Sequence, residues 1–373
     1  MLRFALRFAA YDRTKSLGVI LGIMVSTFLV GQQLGIFLFL TGAMSALVDN
    51  TQADIWVVDD RTTDVNALAP IDVRIGPQVE SLPGVRKAYP LVLAGARARF
   101  REGKSSSVLL VGAQPPAFRG GPWAIERGEL ADLVEDRVVS VDHYDSESLN
   151  RAGIGTSFEL NGEQVRVALE TKGVRSFGGI YLFTTGATAR AIGNVPRSKV
   201  SAFLVDVEDG AEVHVVRDAI NATMFGVRAW TKEDLSLATV GTILGESGIA
   251  YSIGTLIVFA FIAGMVIIGL TMYSAAVDRL RDYGTLKAIG ASNTYIRNLI
   301  LIQAVLFALI GYGLGAVLIE GFRKGIANTG VLFSYSPPIR VGFFVLTIVI
   351  ALGGAVFAMR RIARVEPASV FRG

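Results

Sequence analysis

The chain has 373 residues, 51% of them hydrophobic, and its mean hydropathy of +0.49 is too high for an ordinary soluble domain. It contains no Cys and only two His, His143 and His214, which excludes disulfides, Cys/His zinc sites and thiol nucleophiles. No G-x-x-x-x-G-K-[ST] motif occurs, so the sequence holds no recognisable nucleotide-hydrolysing loop. These features favour a membrane protein without catalysis of its own.

Four charge-free segments are each long enough to cross a bilayer, which takes about 20 apolar residues in a helix. They cover residues 16–48, 247–277, 298–319 and 341–359, with 33, 31, 22 and 19 residues. Basic residues precede the first segment, as in a signal peptide, but its apolar run is about twice as long and no convincing A-x-A site follows. We therefore expect four retained transmembrane helices.

The distribution of Lys and Arg predicts the orientation. Residues 1–16, 277–298 and 360–373 each carry four Lys or Arg, and the short loop 320–340 carries three. The positive-inside rule then places both termini and the 277–298 loop in the cytoplasm, with residues 49–246 outside. This external block has 27 acidic and 21 basic residues, so the pI of 9.3 reflects membrane-flanking residues and does not indicate nucleic-acid binding.

The predicted fold class is membrane α+β, with four transmembrane helices and a large periplasmic α/β domain between the first and second helices. Strand and helix patterns alternate in the external block, and its turn-rich middle contains the hairpin signal LNGEQ (160–164). We expect a discontinuous β-α-β lobe at about 50–114 and 199–230, with an inserted β-rich lobe at about 115–198.

The other predicted boundaries follow from the apolar windows. They are a cytoplasmic segment 1–16, a first transmembrane helix with stalk extension 17–48, the periplasmic domain 49–230, a stalk and second helix 231–276, a cytoplasmic coupling region 277–298, a third helix 299–319, a periplasmic loop 320–340, a fourth helix 341–359 and a cytoplasmic tail 360–373.

The two windows beside the external block are longer than a bilayer requires. A helix of 33 residues is about 50 Å long, against a hydrocarbon core of about 30 Å. Either the helices continue outside as stalks, or ordinary loops adjoin tilted helices. Thr231 followed by Asp234 predicts a capping box that opens a helix well before the second span.

The stretch YGTLKAIGAS (283–292) lies between the second and third apolar windows. Four apolar side chains can share one side of a helix there: Leu280, Tyr283, Leu286 and Ile289. Thr285 can cap a short helix, and Gly290 can end it in a left-handed conformation. The segment is either a basic turn that merely obeys the charge rule or a docking element, and bounding glycines favour the second interpretation.

The segment DYGTLKAIGAS (282–292) resembles the E-[IV]-G-x-L-[RK]-A-[LI]-G-A-S signature of FtsX/MacB-type ABC transporter permeases, the type VII superfamily. The tail MRRIARVEPASVFRG (359–373) is similar to that family's ending, and QQLGIFLFL (32–40) more loosely resembles the DevC-like exporter subgroup. With the four spans and external domain, the resemblance covers essentially the whole chain. Asp282 and Tyr283 depart from the usual Glu and Ile or Val, but the charge at the first position is kept.

The resemblance implies that residues 282–292 form a coupling helix seated in a groove of an ATPase. The implied contact residues are Asp282, Gly284, Leu286, Lys287, Ala288, Ile289, Gly290 and Ala291. Leu286 and Ile289 are expected to meet apolar surface of the ATPase, and Lys287 an acid. Because only 16 residues precede the first span, we expect the ATPase to be a separate subunit that binds ATP and Mg, with no cofactor or metal in this chain.

The resemblance also implies a function and partners. The chain would be a non-catalytic permease subunit in the bacterial inner membrane, forming a homodimer. ATPase closure would move the coupling helices and, through the stalks, the external domains (mechanotransmission). This would export a lipid, glycolipid, peptide or other amphiphile with a periplasmic adaptor protein and an outer-membrane channel. Two alternatives stay open: a regulator that activates a cell-wall hydrolase without transport, and a lipoprotein-releasing permease.

Small and polar residues inside the spans indicate further sites. Glycines at i, i+4 spacing predict close helix packing, within one subunit or at a dimer interface: Gly18, Gly22, Gly31, Gly35, Gly311 and Gly315. Gln32 and Gln33 should face protein or water, either in a substrate vestibule or in an interhelical hydrogen bond near the interface. Gln303 in the third span invites the same two interpretations.

The acidic residues of the external block form no recognisable catalytic pair. His143, between Asp142 and Asp145, is typical of a solvated loop rather than a metal site.

Overall fold

The computed structural model describes residues 13–278 and 280–362, which form two compact units. A helical unit comprises residues up to 38, 249–327 and those from 331 onward. The second unit, called the external unit after its predicted location, comprises residues 39–248 together with 328–330. The fold class is as predicted: an α/β domain lies in the sequence between the first and second of four long apolar helices.

The described helices and strands are numbered in chain order. The helices are α1 (Arg13–Met44), α2 (Ala46–Asp49), α3 (Ile75–Glu80), α4 (Gly186–Gly193), α5 (Val213–Thr223), α6 (Lys232–Ser247), α7 (Ile249–Asp278), α8 (Leu280–Ala288), α9 (Asn293–Ala327) and α10 (Pro337–Ile362). The strands are β1 (Ile55–Asp59), β2 (Ile71–Asp72), β3 (Val85–Arg99), β4 (Ser105–Ala113), β5 (Ile125–Arg127), β6 (Val138–Asp142), β7 (Ser157–Leu160), β8 (Glu163–Thr171), β9 (Ile180–Thr185), β10 (Lys199–Val200), β11 (Ala202–Val207) and β12 (Val227–Thr231). Short 3-10 turns cover Val65–Ala67, Leu130–Val134 and His143–Asp145.

Four of these helices are long and apolar enough to span a membrane. The apolar stretches are Ser16–Met44 in α1, Ile249–Thr271 in α7, Asn293–Ala327 in α9 and Pro337–Val356 in α10. Side chains from α1, α7, α9 and α10 meet in a buried core that includes Ile23, Ile268, Leu299 and Ala351. The helices therefore pack on one another through part of their surface and leave other apolar faces exposed, as expected in lipid.

The helix ends differ from the predicted boundaries. The segment 17–48 is not one helix, because α1 stops at Met44 and α2 follows as a separate turn. The segment 231–276 is also divided, since α6 ends at Gly248, whose φ of +67° is a left-handed helix stop. Both α9 and α10 extend beyond 299–319 and 341–359 at each end, because a helix can continue past its apolar stretch into polar residues.

The start of α6 is as predicted. The Thr231 side-chain oxygen accepts a hydrogen bond of 3.2 Å from the backbone N–H of Asp234, and the helix begins at Lys232. The capped first turn carries Glu233 and Asp234, which suits the positive end of the helix dipole.

The external unit is built on an antiparallel sheet that continues into a mixed one. In order, β12, β1, β11 and β3 pair antiparallel, and β3 also pairs with β4 and β7. Two pairings are parallel, β4 with β9 and β6 with β8. Buried side chains of β1 alternate between two cores, Ile55 and Val57 on one face, Trp56 and Val58 on the other.

Strand β3 links the two parts of the sheet. Its pairing places the boundary between the two lobes earlier in the chain than predicted. Its first half pairs with β11, whereas residues 92–99 pair with β4. Because β4 pairs in turn with β9, residues 92–113 belong with the inserted lobe, which was expected to begin at about 115. The sequence pattern predicts β3 and β4 as strands, but it does not indicate which strands they pair with.

The predicted hairpin is confirmed. Strands β7 and β8 are joined by Asn161 and Gly162, with φ of +48° and +93°. Positive φ at both central residues is the pattern of the tight hairpin turns that Asn-Gly favours.

Glycine at 112 permits α4 to pack on β4. A Cβ at Gly112 would lie 2.5 Å from the Ala189 Cβ and 3.0 Å from the Gly186 Cα, whereas a Cβ at Gly95 would meet nothing within 4 Å. We predict that Gly112→Ala destabilises the external unit by about 1–3 kcal/mol through overpacking. The matched change Gly95→Ala, on the adjacent strand, is expected to be neutral or slightly stabilising.

Tryptophan fluorescence of the full-length protein in detergent measures this difference. All three Trp residues, Trp56, Trp123 and Trp230, lie in the external unit, so their unfolding transition reports on that unit. Equal transitions for the two variants would contradict the packing argument.

Candidate functional site

The connection between α8 and α9 is short and is held by several hydrogen bonds. Gly290 has a φ of +102°, its N–H donates to the Lys287 carbonyl, and the Ala291 N–H donates to the Leu286 carbonyl. This pair of bonds is a Schellman motif, which terminates a helix and satisfies its last carbonyls. The side-chain oxygen of Ser292 then accepts from the Tyr295 N–H at 3.1 Å and caps α9.

The letters G-A-S in the sequence thus encode a helix stop followed by a helix start. Gly290 provides the left-handed backbone, and Ser292 provides the cap two residues later. The two helices are therefore held in a fixed relation by the backbone itself, which is what a docking element requires.

Helix α8 has a buried side and an exposed side. Tyr283 is 3% exposed within the core of the helical unit, Gly284 is buried, and Leu286 packs partly against the same core. Asp282, Thr285 and Ile289 are exposed and follow the i, i+3, i+7 spacing of one helix face. Ala288 and Gly290 are also exposed, and Lys287 and Ala291 are half-buried.

Two details of the predicted helix are wrong. Thr285 is not the N-cap, because α8 starts at Leu280 and the Thr285 carbonyl accepts an intrahelical bond from Ile289. Tyr283 and Ile289 do not share a side, since one is buried and the other is 79% exposed. Leu286 contacts the core of its own unit, whereas Ile289, directly after α8, is a large apolar side chain that is exposed.

The predicted packing glycines all contact neighbouring segments of the same chain. A Cβ at Gly311 would lie 2.6 Å from the Ile23 Cγ2, and one at Gly315 would lie 2.7 Å from the Thr27 Cγ2. The remaining glycines face side chains in the same way: Gly18 faces Thr271, Gly22 faces Ile267, Gly31 faces Ile319 and Gly35 faces Phe333. Each of the six positions therefore packs against another segment of the same chain.

The amide side chains are placed differently from one another. Gln32 and Gln33 are half-buried on α1. Gln303 on α9 is 7% exposed, and its Nε2 has no hydrogen-bond partner among the described residues. Directly before Gln32, the Gly31 carbonyl accepts a hydrogen bond of 2.7 Å from the Tyr335 hydroxyl.

The external unit contains a broad cleft of about 810 Å³. Its lining combines apolar and charged side chains, including Val92, Val134, Ala187, Ala191, Arg190 and Glu135. Ala187 and Ala191 are exposed on the cleft side of α4, whereas Ala189 on the opposite side is fully buried. A surface of this composition can accommodate a molecule with both apolar and charged parts.

A buried carboxylate organises the end of β6. Asp142 is 2% exposed and accepts hydrogen bonds from the Tyr144 and Val174 N–H groups, from the Thr171 hydroxyl and from Arg175. Arg175 also pairs with Asp145 at 2.7 Å, although burial still raises the pKa of Asp145. The 3-10 turn His143–Asp145 is thereby fixed to β8 and to the segment after it.

His143 is exposed in a 3-10 turn, as expected for a solvated loop, but two carboxylates from elsewhere in the chain approach it. Its Nδ1 lies 3.6 Å from a Glu126 oxygen and 3.5 Å from a Glu170 oxygen. No local signal could reveal this cluster, because its members are separated by 17 and 27 residues along the chain. The cap at Ser292, by contrast, was detectable as a Ser directly before a helical apolar pattern.

Two family models match the chain. The MacB-like periplasmic core domain matches residues 16–223, and the FtsX-like permease C-terminal domain matches residues 254–367. The first match alone covers more than half of the sequence, and the second includes the whole of the α8–α9 connection.

The chain is also similar to named relatives and to a domain of known structure. The chain is 24% identical over 367 residues to an uncharacterized ABC transporter permease of Mycobacterium tuberculosis, covering 94% of this chain and 95% of the relative. It is 25% identical over 334 residues to the macrolide export ATP-binding/permease protein MacB of Hahella chejuensis, covering 83% of this chain but 49% of that protein. The periplasmic region of MacB from Actinobacillus actinomycetemcomitans is similar at 11% identity and a TM-score of 0.39, covering 52% of this chain and 96% of that one.

The matches, the four apolar helices and the α/β unit between the first two have one common explanation. The chain belongs to the MacB/FtsX-type ABC transporter permeases and is a multi-pass membrane protein.

Proposed function

We propose that this permease couples ATP hydrolysis by a separate ATPase subunit to movement of its external unit, and that the movement exports an amphiphile. The α8–α9 connection carries the proposal, since it presents an exposed face on a helix whose end is fixed by a Schellman motif and a cap. Asp282, Thr285 and Ile289 form that face, and Ile289 is its apolar anchor. The permease family supports an ATPase partner.

The sequence of the spans favours helices that transmit movement over helices that line a polar channel. The four charge-free windows contain no carboxylate, ammonium or guanidinium group to line an ion path. Cargo would instead meet the external unit, where the cleft beside α4 offers both apolar and charged groups. This composition favours a lipid, glycolipid, peptide or similar amphiphile, handed to a periplasmic adaptor and an outer-membrane channel by a homodimer of this chain in the inner membrane.

We predict that Ile289→Asp weakens association with the ATPase at least about tenfold. An exposed Ile that becomes buried at an interface contributes about 1.5–3 kcal/mol, and 1.4 kcal/mol corresponds to a factor of ten. Gly290→Ala is expected to weaken it less, by straining the left-handed helix stop. Co-purification with the ATPase encoded beside this chain, followed by an ATPase assay, measures both effects.

Phe225→Asp is the matched control, because Phe225 is 90% exposed but lies in the external unit. It should co-purify with the ATPase like the unaltered chain. If Ile289→Asp behaves like this control, the α8–α9 connection is only a basic turn and the docking proposal is wrong.

Single-cysteine labelling tests the orientation, and the chain is suited to it because it contains no Cys. Ser105→Cys and Ala288→Cys are both at exposed positions. We expect a membrane-impermeant maleimide to label Ser105→Cys from the periplasm of cells with a permeabilised outer membrane. Ala288→Cys should react only after the inner membrane is opened, and the reverse pattern would invert the proposed topology.

The cleft is tested by filling it. Ala187→Trp places a large ring in the cleft from the exposed side of α4, and we predict that it abolishes export of amphiphilic dyes while ATPase association is retained. Ala222→Trp is the control, since Ala222 is exposed at the end of another helix, α5, and does not line the cleft. Dye accumulation in cells measures the effect. Unimpaired export by Ala187→Trp would remove the cleft from the cargo path.

A further inference from the structure

Three side chains from separate parts of the external unit converge at one point. Glu126 comes from β5, His143 from the 3-10 turn after β6, and Glu170 from the end of β8. One ligand atom from each lies within 4.8 Å of the other two, and the His143 Nδ1 is 3.6 Å from Glu126 Oε2 and 3.5 Å from Glu170 Oε1.

The other oxygen of each carboxylate is already held by a cation. Glu126 Oε1 accepts a bond of 2.6 Å from the Lys172 ammonium, and Glu170 Oε2 pairs with the Arg127 guanidinium. The cations therefore orient the two carboxylates and turn one free oxygen of each towards the imidazole.

The backbone that carries His143 is equally well fixed. Asp142 directly precedes it, is buried, and bonds to β8 and to the segment after β8 through the Thr171 hydroxyl and the Val174 N–H. Fixed outer groups of this kind are what orients the ligands of metal sites in proteins. Glu170 itself is 6% exposed, whereas His143 is open enough to admit an ion from solvent.

We propose that Glu126, His143 and Glu170 bind a divalent transition metal of the zinc class. A tetrahedral zinc site with metal–ligand distances of about 2.0–2.1 Å places its ligand atoms about 3.3–3.4 Å apart. The two imidazole–carboxylate separations are close to this value. An imidazole ligand also favours zinc-like ions over Ca²⁺ and Mg²⁺, which prefer oxygen. Water would take the fourth position.

The supply of hydrogen-bond donors leaves room for an ion at this point. Two carboxylate oxygens and one ring nitrogen face one another, and a neutral imidazole can supply at most one N–H to this group.

A bound ion would stiffen a contact surface. Tyr144 follows His143, and a Cβ at Gly330 would lie 2.8 Å from the Tyr144 Cβ and 2.9 Å from the Arg175 guanidinium. Gly330 belongs to residues 328–330, which lie between α9 and α10 in sequence but group with the external unit by their contacts. A bound ion would therefore fix the His143–Asp145 turn, which residues 328–330 contact through Gly330.

The test is zinc binding by the full-length protein in detergent, purified through a histidine-free tag and stripped with a chelator. Titration against a chromophoric chelator should give one zinc ion per chain, and Co²⁺ should give the absorption of a four-coordinate site. His143→Gln should weaken zinc binding at least about 100-fold. His214→Gln is the matched control, since His214 is the other histidine of the chain and is exposed on α5.

Thermal unfolding followed by tryptophan fluorescence provides an independent readout. Zinc at a free concentration 100-fold above the Kd should raise the midpoint of the external unit by about 5–10 °C, and not in His143→Gln. Glu126→Gln, which changes a more exposed ligand, replaces His143→Gln if that variant does not fold. No saturable zinc binding by the unaltered chain, or equal binding by the His143→Gln and His214→Gln variants, would overturn the proposal.

Discussion

Close approach of helix backbones is the constraint on which the helical unit depends. Gly311 and Gly315, four residues apart on α9, face the Ile20 and Met24 carbonyls, four residues apart on α1, and a Cβ at either glycine would lie 3.2 Å from the carbonyl opposite. The two helices are therefore in register over one full turn. Because α9 begins at the Ser292 cap, directly after the stop at Gly290, the placement of α9 also places the end of α8.

In the external unit, one buried carboxylate holds several segments together. Asp142 is one of the few carboxylates there that is almost fully removed from solvent, and its oxygens are satisfied by backbone N–H groups, a hydroxyl and a guanidinium. A buried carboxylate is tolerated only with such a set of donors, so the segments that supply them are held together. The turn that carries His143 and the contact of Gly330 both depend on this one residue.

Local signals predicted the features that are encoded locally. The four apolar helices, the cap at Thr231, the Asn161–Gly162 turn and the stop at Gly290 each follow from the chemistry of a few adjacent residues. Features that depend on a distant partner were not predictable. The sequence of β3 indicates a strand but not that it divides its pairing between β11 and β4, and nothing near His143 indicates Glu126 or Glu170. The wrong grouping of Tyr283 with Ile289 has the same cause, since the burial of Tyr283 depends on the core formed by other helices.

The length of β3 has a mechanical consequence. Its 15 residues form a strand of about 50 Å that is shared by both parts of the sheet. A pull along this strand loads its ladder of hydrogen bonds in shear, all at once, rather than peeling them one by one. The two lobes would then move together under such a load. Bending would be easiest at Gly95, which is exposed and has no crowding neighbours. Gly95 lies close to the point where the partner of β3 changes from β11 to β4.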